Sequence, residues 1–142
     1  MREALQEARK AFDEDEVPIG AVVVHEGRVI SRAHNMREQL HDPTAHAEIL
    51  AMRAAASYLG GWRLHKCDLY VTVEPCPMCA GAAVQARLNC IVYGAPDEKA
   101  GCCGSVYNLL EEPKFNHKVV VVKDILKDEC RELMSSFFKR KR

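Results

Sequence analysis

The chain has 142 residues, of which 48% are hydrophobic and 28% charged. Its 20 Lys and Arg balance 20 Asp and Glu, for a net charge of 0. That length suits one domain with a core of its own, and the composition excludes a wholly disordered or fibrous chain. Neutrality excludes a surface that traps polyanions everywhere, but not a local nucleic-acid patch.

Residues 1–12 place Met1, Ala4, Leu5, Ala8, Ala11 and Phe12 on one helical face, with no signal-peptide core. Asp13-Glu14-Asp15-Glu16 closes that helix and reads as a solvated loop before Pro18. Ile19 to Val24 and Arg28 to His34 read as two strands joined by the turn His25-Glu26-Gly27. A helix is then expected from Asp42 as N-cap and Pro43 as first residue, through His46 and Glu48, to about Leu59. Leu69 to Val73 is a strand, Pro75-Cys76-Pro77 breaks it, and Met78 to Arg87 is a helix. Cys90 to Tyr93 and Val119 to Val122 are further strands, separated by a Gly- and Cys-rich loop over 94–108. Asp124 opens a last helix, with Ile125, Leu126, Cys130, Leu133, Met134, Phe137 and Phe138 on its apolar face. This order implies an α/β layered domain with helices on both faces of a mixed sheet.

Seven cysteines, an odd number, do not suit a secreted disulfide scaffold, and no apolar run is long enough to span a membrane. A reducing, cytoplasmic setting is expected. The chemistry concentrates in His46-Ala47-Glu48 and Pro75-Cys76-Pro77-Met78-Cys79. Helix N-termini favour thiolates, and two thiolates with one imidazole suit zinc. Three protein ligands leave a fourth position for water, whose pKa zinc lowers toward about 7. Glu48, two residues from His46, is then free to shuttle a proton. Two other readings stay open on these residues. Cys76-x-x-Cys79 could be a redox dithiol, and a structural zinc site could draw a fourth ligand from His65, Cys67, Cys102 or Cys103.

His-x-Glu followed by Pro-Cys-x-x-Cys resembles the zinc nucleobase deaminases. Glu16-Val17-Pro18-Ile19-Gly20-Ala21, Arg32-Ala33-His34-Asn35, Thr44-Ala45-His46-Ala47-Glu48, Trp62-Arg63-Leu64, Leu69 to Cys76 and Phe115-Asn116-His117 resemble, more narrowly, the bacterial tRNA-specific adenosine deaminases. Asp128-Glu129-Cys130 and Phe137-Phe138 extend the likeness to the C-terminus. The resemblance implies one domain over residues 1–142, with a three-layer α/β/α cytidine-deaminase-like fold around a central mixed five-stranded sheet. It implies a cytoplasmic homodimer that hydrolyses the wobble adenosine of an arginine tRNA anticodon loop to inosine, releasing ammonia. DNA is not expected as the natural substrate.

Carried over by position, the likeness implies that His46, Cys76 and Cys79 hold one zinc ion per chain, with Glu48 as general acid and base. Asn35 would hydrogen-bond the flipped adenine, Val17 and Pro75 would line its pocket, and Ala47 would offer its backbone to the purine edge. Asp97 would meet a flanking nucleotide. Phe138 and Lys139-Arg140-Lys141-Arg142 would lie beside the anticodon stem-loop. Gly101-Cys102-Cys103-Gly104 departs from the family pattern and suggests an oxidation-sensitive loop or altered RNA contacts. The first helix starts so near residue 1 that a short N-terminal extension is expected to be missing. Guanine deaminases share the zinc motif, so a free-base deaminase is the nearest rival. A zinc-stabilised binding module without turnover is the second.

Overall fold

In the computed structural model, which describes residues 1–142, β-branched runs form the strands, and Ala-rich or amphipathic runs form the helices that cover them. The strands are β1 (Gly20–His25), β2 (Arg28–His34), β3 (Cys67–Val73), β4 (Cys90–Ala95) and β5 (Val120–Val122). They form one five-stranded sheet in the order β2-β1-β3-β4-β5. β1 pairs antiparallel with β2 and β3, while β3, β4 and β5 run parallel. The sheet is therefore mixed, as expected.

The helices are α1 (Arg2–Asp13), α2 (Arg37–Leu40), α3 (Ala47–Leu59), α4 (Pro77–Ala86) and α5 (Lys127–Lys141). α3 and α4 cover one face, where the larger core includes Ala51, Ala55, Leu64, Leu69, Val71, Ala83 and Ile91. α1 and α5 cover the other, through Leu5, Ala95 and Cys130. Small residues let α1 approach closely. A Cβ on Gly20 would stand 2.0 Å from the Ala4 carbonyl oxygen and 2.4 Å from the Ala8 nitrogen. Backbone cannot yield as a side-chain tip can. Gly20→Ala is therefore expected to destabilise by about 3 kcal/mol, the upper end of overpacking costs. A urea midpoint unchanged from wild type would refute this packing.

Three expectations about the helices need correction. The helix expected from Asp42 begins instead at Ala47. Asp42 caps a turn: its Oδ1 accepts from the Thr44 N–H at 2.8 Å and the Thr44 hydroxyl at 2.7 Å. The last helix starts at Lys127, not Asp124, because Asp124 and Leu126 both adopt left-handed backbone. Phe138 is 45% exposed, so it does not belong to the buried face of α5, whose buried residues are Cys130 and Phe137.

The acidic run 13–16 is not simply a solvated loop. Glu14 Oε2 accepts from Gln39 and lies 2.7 Å from His34 Nε2. Asp15 pairs with Lys141 at 2.6 Å and Arg140 at 3.3 Å. Those two contacts tie the ends of the chain together, and the Arg140 guanidinium also stacks over Phe12 at 4.1 Å. Glu16 is buried and accepts the Glu38 N–H at 3.1 Å and the Gln39 N–H at 2.8 Å. It thus anchors the short α2, which the sequence pattern did not reveal.

Candidate active site

The carboxyl ends of β3 and β4 meet the N-termini of α3 and α4, and the candidate ligands gather there. His46 is the N-cap of α3, in extended backbone at φ −74° and ψ 150°. Cys76 is the N-cap of α4, Pro77 its first residue and Cys79 its third. Pro at the first position costs no hydrogen bond, because that N–H has no helical acceptor anyway. The extended caps turn the imidazole and one thiol back across the helix ends.

His46 Nδ1 lies 3.6 Å from Cys76 Sγ and 3.5 Å from Cys79 Sγ, and the three ligand atoms all stand within 4.8 Å of one another. Tetrahedral zinc, with bonds of ~2.3 Å to sulfur and ~2.0 Å to nitrogen, separates such atoms by roughly 3.5 Å. The donor set and its spacing therefore fit a metal ion of zinc's type. His65, Cys67, Cys102 and Cys103 do not join the group. Cys67 is at the far end of β3, against His25 Nδ1 at 3.6 Å. The fourth-ligand reading falls: a metal ion here would draw three ligands from the chain.

The two thiols are pushed in opposite directions. Hydrogen bonding from Cys79 holds the Cys76 thiol down to about 4, against the effect of burial and with help from His46. The same bond and burial push the Cys79 thiol far up. Hydrogen bonding to Cys76 raises the His46 pKa. Nδ1 faces the sulfurs, so in the ligating tautomer the ring proton sits on Nε2. Arg37 Nη1, 3.5 Å from Nε2, then packs at the ring edge without a hydrogen bond.

Glu48, the second residue of α3, is 3% exposed. Its Oε1 has no hydrogen-bond partner at all. Burial pushes its carboxyl pKa up. A buried carboxyl with a free oxygen is costly, and such costs persist where a substrate or ligand later supplies the partner. Glu48 is outside the ligand group because His46 sits at an extended cap, not because two helical residues diverge.

The other expected residues fall into two sets. Asn35 is buried at the same end, its Nδ2 donating to the Val17 carbonyl at 3.3 Å and its Oδ1 accepting from the Arg37 N–H at 3.3 Å. Each end of the amide keeps further hydrogen-bonding capacity. Ala47 opens α3, so its N–H has no intrahelical acceptor. The Pro75 carbonyl is already taken, accepting from the Cys102 N–H at 2.9 Å. Asp97 and Phe138 instead line a groove of about 1050 Å³ together with Val73, Lys99, Arg131 and Lys139. Asp97 Oδ1 is occupied within its own turn, by the N–H groups of Lys99 and Ala100.

Cys102 and Cys103 are buried, and burial raises both thiol pKa values. Thiolate character and exposure govern oxidation, so neither cysteine is an exposed redox sensor. Sequence reasoning missed Glu16 and Glu74, two buried carboxylates that fasten the segments on either side of the site.

A family model described as MafB19-like deaminase matches residues 1–142. The tRNA-specific adenosine deaminase of Bacillus subtilis is 51% identical over all of this chain and 88% of its own length. The chain belongs to the tRNA-specific adenosine deaminase family. A structure from a study of A-to-I editing by tRNA:A34 deaminases at the wobble position superimposes with a TM-score of 0.91 at 47% identity. That match covers 94% of this chain and 96% of the other, and it bears out the cytidine-deaminase-like fold. Guanine deaminase from Bacillus subtilis matches less well, with a TM-score of 0.66 and 30% identity over 95% of this chain and 89% of that one.

Proposed function

We propose that this chain hydrolyses the wobble adenosine of a tRNA anticodon loop, that of an arginine tRNA, to inosine and ammonia. The observation that supports it most is Glu48, whose buried Oε1 has no hydrogen-bond partner, beside the His46–Cys76–Cys79 group in a chain of this family. His46 Nδ1 and the two sulfurs would hold one zinc ion per chain. When bound, zinc supplies a Lewis acid that makes water nucleophilic near neutral pH.

The chain's own residues do the rest. Asn35 uses its remaining capacity to orient adenine, with Val17 and Pro75 against the ring and the Ala47 N–H toward the purine edge. Extruding a base from a single-stranded loop costs less than flipping it from a duplex. Glu48 takes a proton from the attacking water and delivers it to N1, then takes the proton of the new C6 hydroxyl and delivers it to the departing amine. Water adds at C6, the C6–N6 bond breaks, and inosine and ammonia balance the step. Asp97 and Phe138 border the nucleotides beside the target.

The test is a wobble-adenosine anticodon stem-loop read out as inosine, with a cytidine loop as control. Ammonia release from free guanine or cytidine, without inosine in the stem-loop, would sink this reading. Affinity should weaken as salt rises, with a log–log slope of about −0.7 per phosphate contacted on single-stranded RNA. Asp15 already engages Lys141 and Arg140, so the free basic groups of the groove are Lys99, Arg131, Lys139 and Arg142. Lys139→Ala is expected to lower the salt slope by about 0.7, and Lys141→Ala by less, since its charge is partly neutralised. Equal slopes for both variants would refute that assignment.

We also propose that the chain is cytoplasmic and that two copies pair through the face of α3 and α4. There Ile49, Met52, Leu64, Ala82 and Ala86 line an apolar groove beside Trp62, which is 55% exposed. A monomer by light scattering at assay concentration would overturn the pairing. No helix is long and apolar enough to cross a membrane.

A further inference from the structure

Glu74 lies between the last residue of β3 and Pro75-Cys76, and its N–H donates to the Ala95 carbonyl at 2.8 Å. Its side chain is buried, 3% exposed, and no cation pairs with it. Four donors from one loop satisfy it instead. Oε1 accepts the Asp97 N–H at 3.0 Å and the Ser105 hydroxyl. Oε2 accepts the N–H groups of Cys103 and Ser105, each at 3.0 Å. One carboxylate therefore closes the loop from 97 to 105 onto the strand end that carries the first cysteine ligand.

The fit is close. A Cβ on Gly101 would stand 2.4 Å from Glu74 Cδ, so only glycine lets the loop settle over the carboxylate. Every group that meets Glu74 is a donor, and only a carboxylate presents two acceptor oxygens with no donor of its own. A buried anion without a cation is costly, and here it adds negative charge near the Cys102 and Cys103 thiols. A glutamine would carry less charge but would aim N–H groups at N–H groups. The loop so fastened holds Asp97 at the wall of the groove that Phe138, Lys99 and Arg131 complete.

We propose that Glu74 is a positioning residue that fixes the 97–105 loop, and thereby sets how tightly the RNA beside the target adenosine is held. This rests on the proposed RNA substrate. It assigns Glu74 no contact with the reacting base.

The test uses zinc-loaded, full-length Glu74→Gln, Ser105→Ala and Ser105→Thr with the wobble-adenosine stem-loop. Readouts are Kd by fluorescence anisotropy, KM and kcat for inosine, zinc per chain, and hydrogen exchange of the loop amides. Glu74→Gln is expected to raise Kd and KM by about tenfold or more, the scale of a lost hydrogen bond to a charged group. Its kcat should stay within about threefold and its zinc at wild-type content, while the amides of Asp97, Cys103 and Ser105 exchange faster. Should Glu74→Gln not fold, Ser105→Ala, which removes one of four donors, should still raise Kd by about threefold. Ser105→Thr, which keeps the hydroxyl, should restore it. Faster exchange in Glu74→Gln or Ser105→Ala with unchanged Kd would overturn the proposal, as would a fall in kcat with KM unchanged. A wild-type protein that binds the stem-loop but makes no inosine would overturn the proposed reaction and leave the Kd comparison to decide this one.

Discussion

Glu48→Ala is expected to lower kcat for inosine formation by at least about 10²–10⁴, the usual share of a positioned proton shuttle, while the zinc content stays at one per chain. The reason is positional. Glu48 is buried at the start of α3, outside the His46–Cys76–Cys79 group, with Oε1 bonded to nothing. The variant removes the proposed proton shuttle and leaves the three candidate ligands in place. Stability should move in the opposite sense from activity, or hardly at all. An unsatisfied buried polar group costs about 1–3 kcal/mol, and losing it offsets much of the cavity that alanine leaves. A melting temperature within a few degrees of wild type, with activity gone, is the expected signature. Loss of zinc from the variant, or a rate within tenfold of wild type, would show that Glu48 belongs to the ligand set or to the scaffold.

Much of this was legible in the residues themselves, and the exceptions share a cause. The β-branched runs announced all five strands, because a short apolar run bounded by turn residues suits a strand buried in a layered sheet. Pro75-Cys76-Pro77 announced the start of α4 through proline chemistry alone. The start of α3 misled because Asp42-Pro43 is a good helix opening. The chain spends Asp42 on a turn instead and keeps His46 in extended backbone, where its ring can reach two thiols from another helix. That preference arises from a contact 30 residues away and leaves no periodic trace.

Glu16 and Glu74 were invisible for the same reason. A glutamate is ordinarily solvated surface, and what buries these two is backbone N–H groups from segments distant in sequence. The charge runs at 13–16 and 139–142 are separate features in the sequence. They became one feature only when the fold set Asp15 against Lys141. Local pattern thus revealed layers and ligand types, while the rims that shape the site depended on long-range hydrogen bonds.

The second large effect concerns the metal. Chelation is expected to abolish turnover and re-addition of zinc to restore it, while the stripped protein keeps its fold. The core beneath α3 and α4 is apolar and does not include His46 or Cys76, so folding does not wait on the ion. Bound metal should still raise the melting temperature by mass action on the native state. Affinity should climb with pH, and the sign follows from the ligands' protons. Cys76 is already a thiolate above about 4. Cys79 retains its proton well into the alkaline range, because Cys76 and burial both favour the thiol. Binding must therefore expel the Cys79 proton, and below the raised His46 pKa an imidazolium proton as well. Each expelled proton makes binding more favourable by about 1.4 kcal/mol per pH unit as pH rises. Competition against a chromophoric chelator should then show log affinity rising by about one per pH unit above the raised His46 pKa and more steeply below it. Cys79→Ser should weaken zinc by more than the ~10–100-fold that loss of an outer hydrogen-bond partner costs. It should also flatten the pH slope, since the proton that binding expels is no longer a thiol's. A pH-independent affinity in the wild type would mean that both sulfurs are already charged, and the picture of two thiols pushed in opposite directions would be wrong.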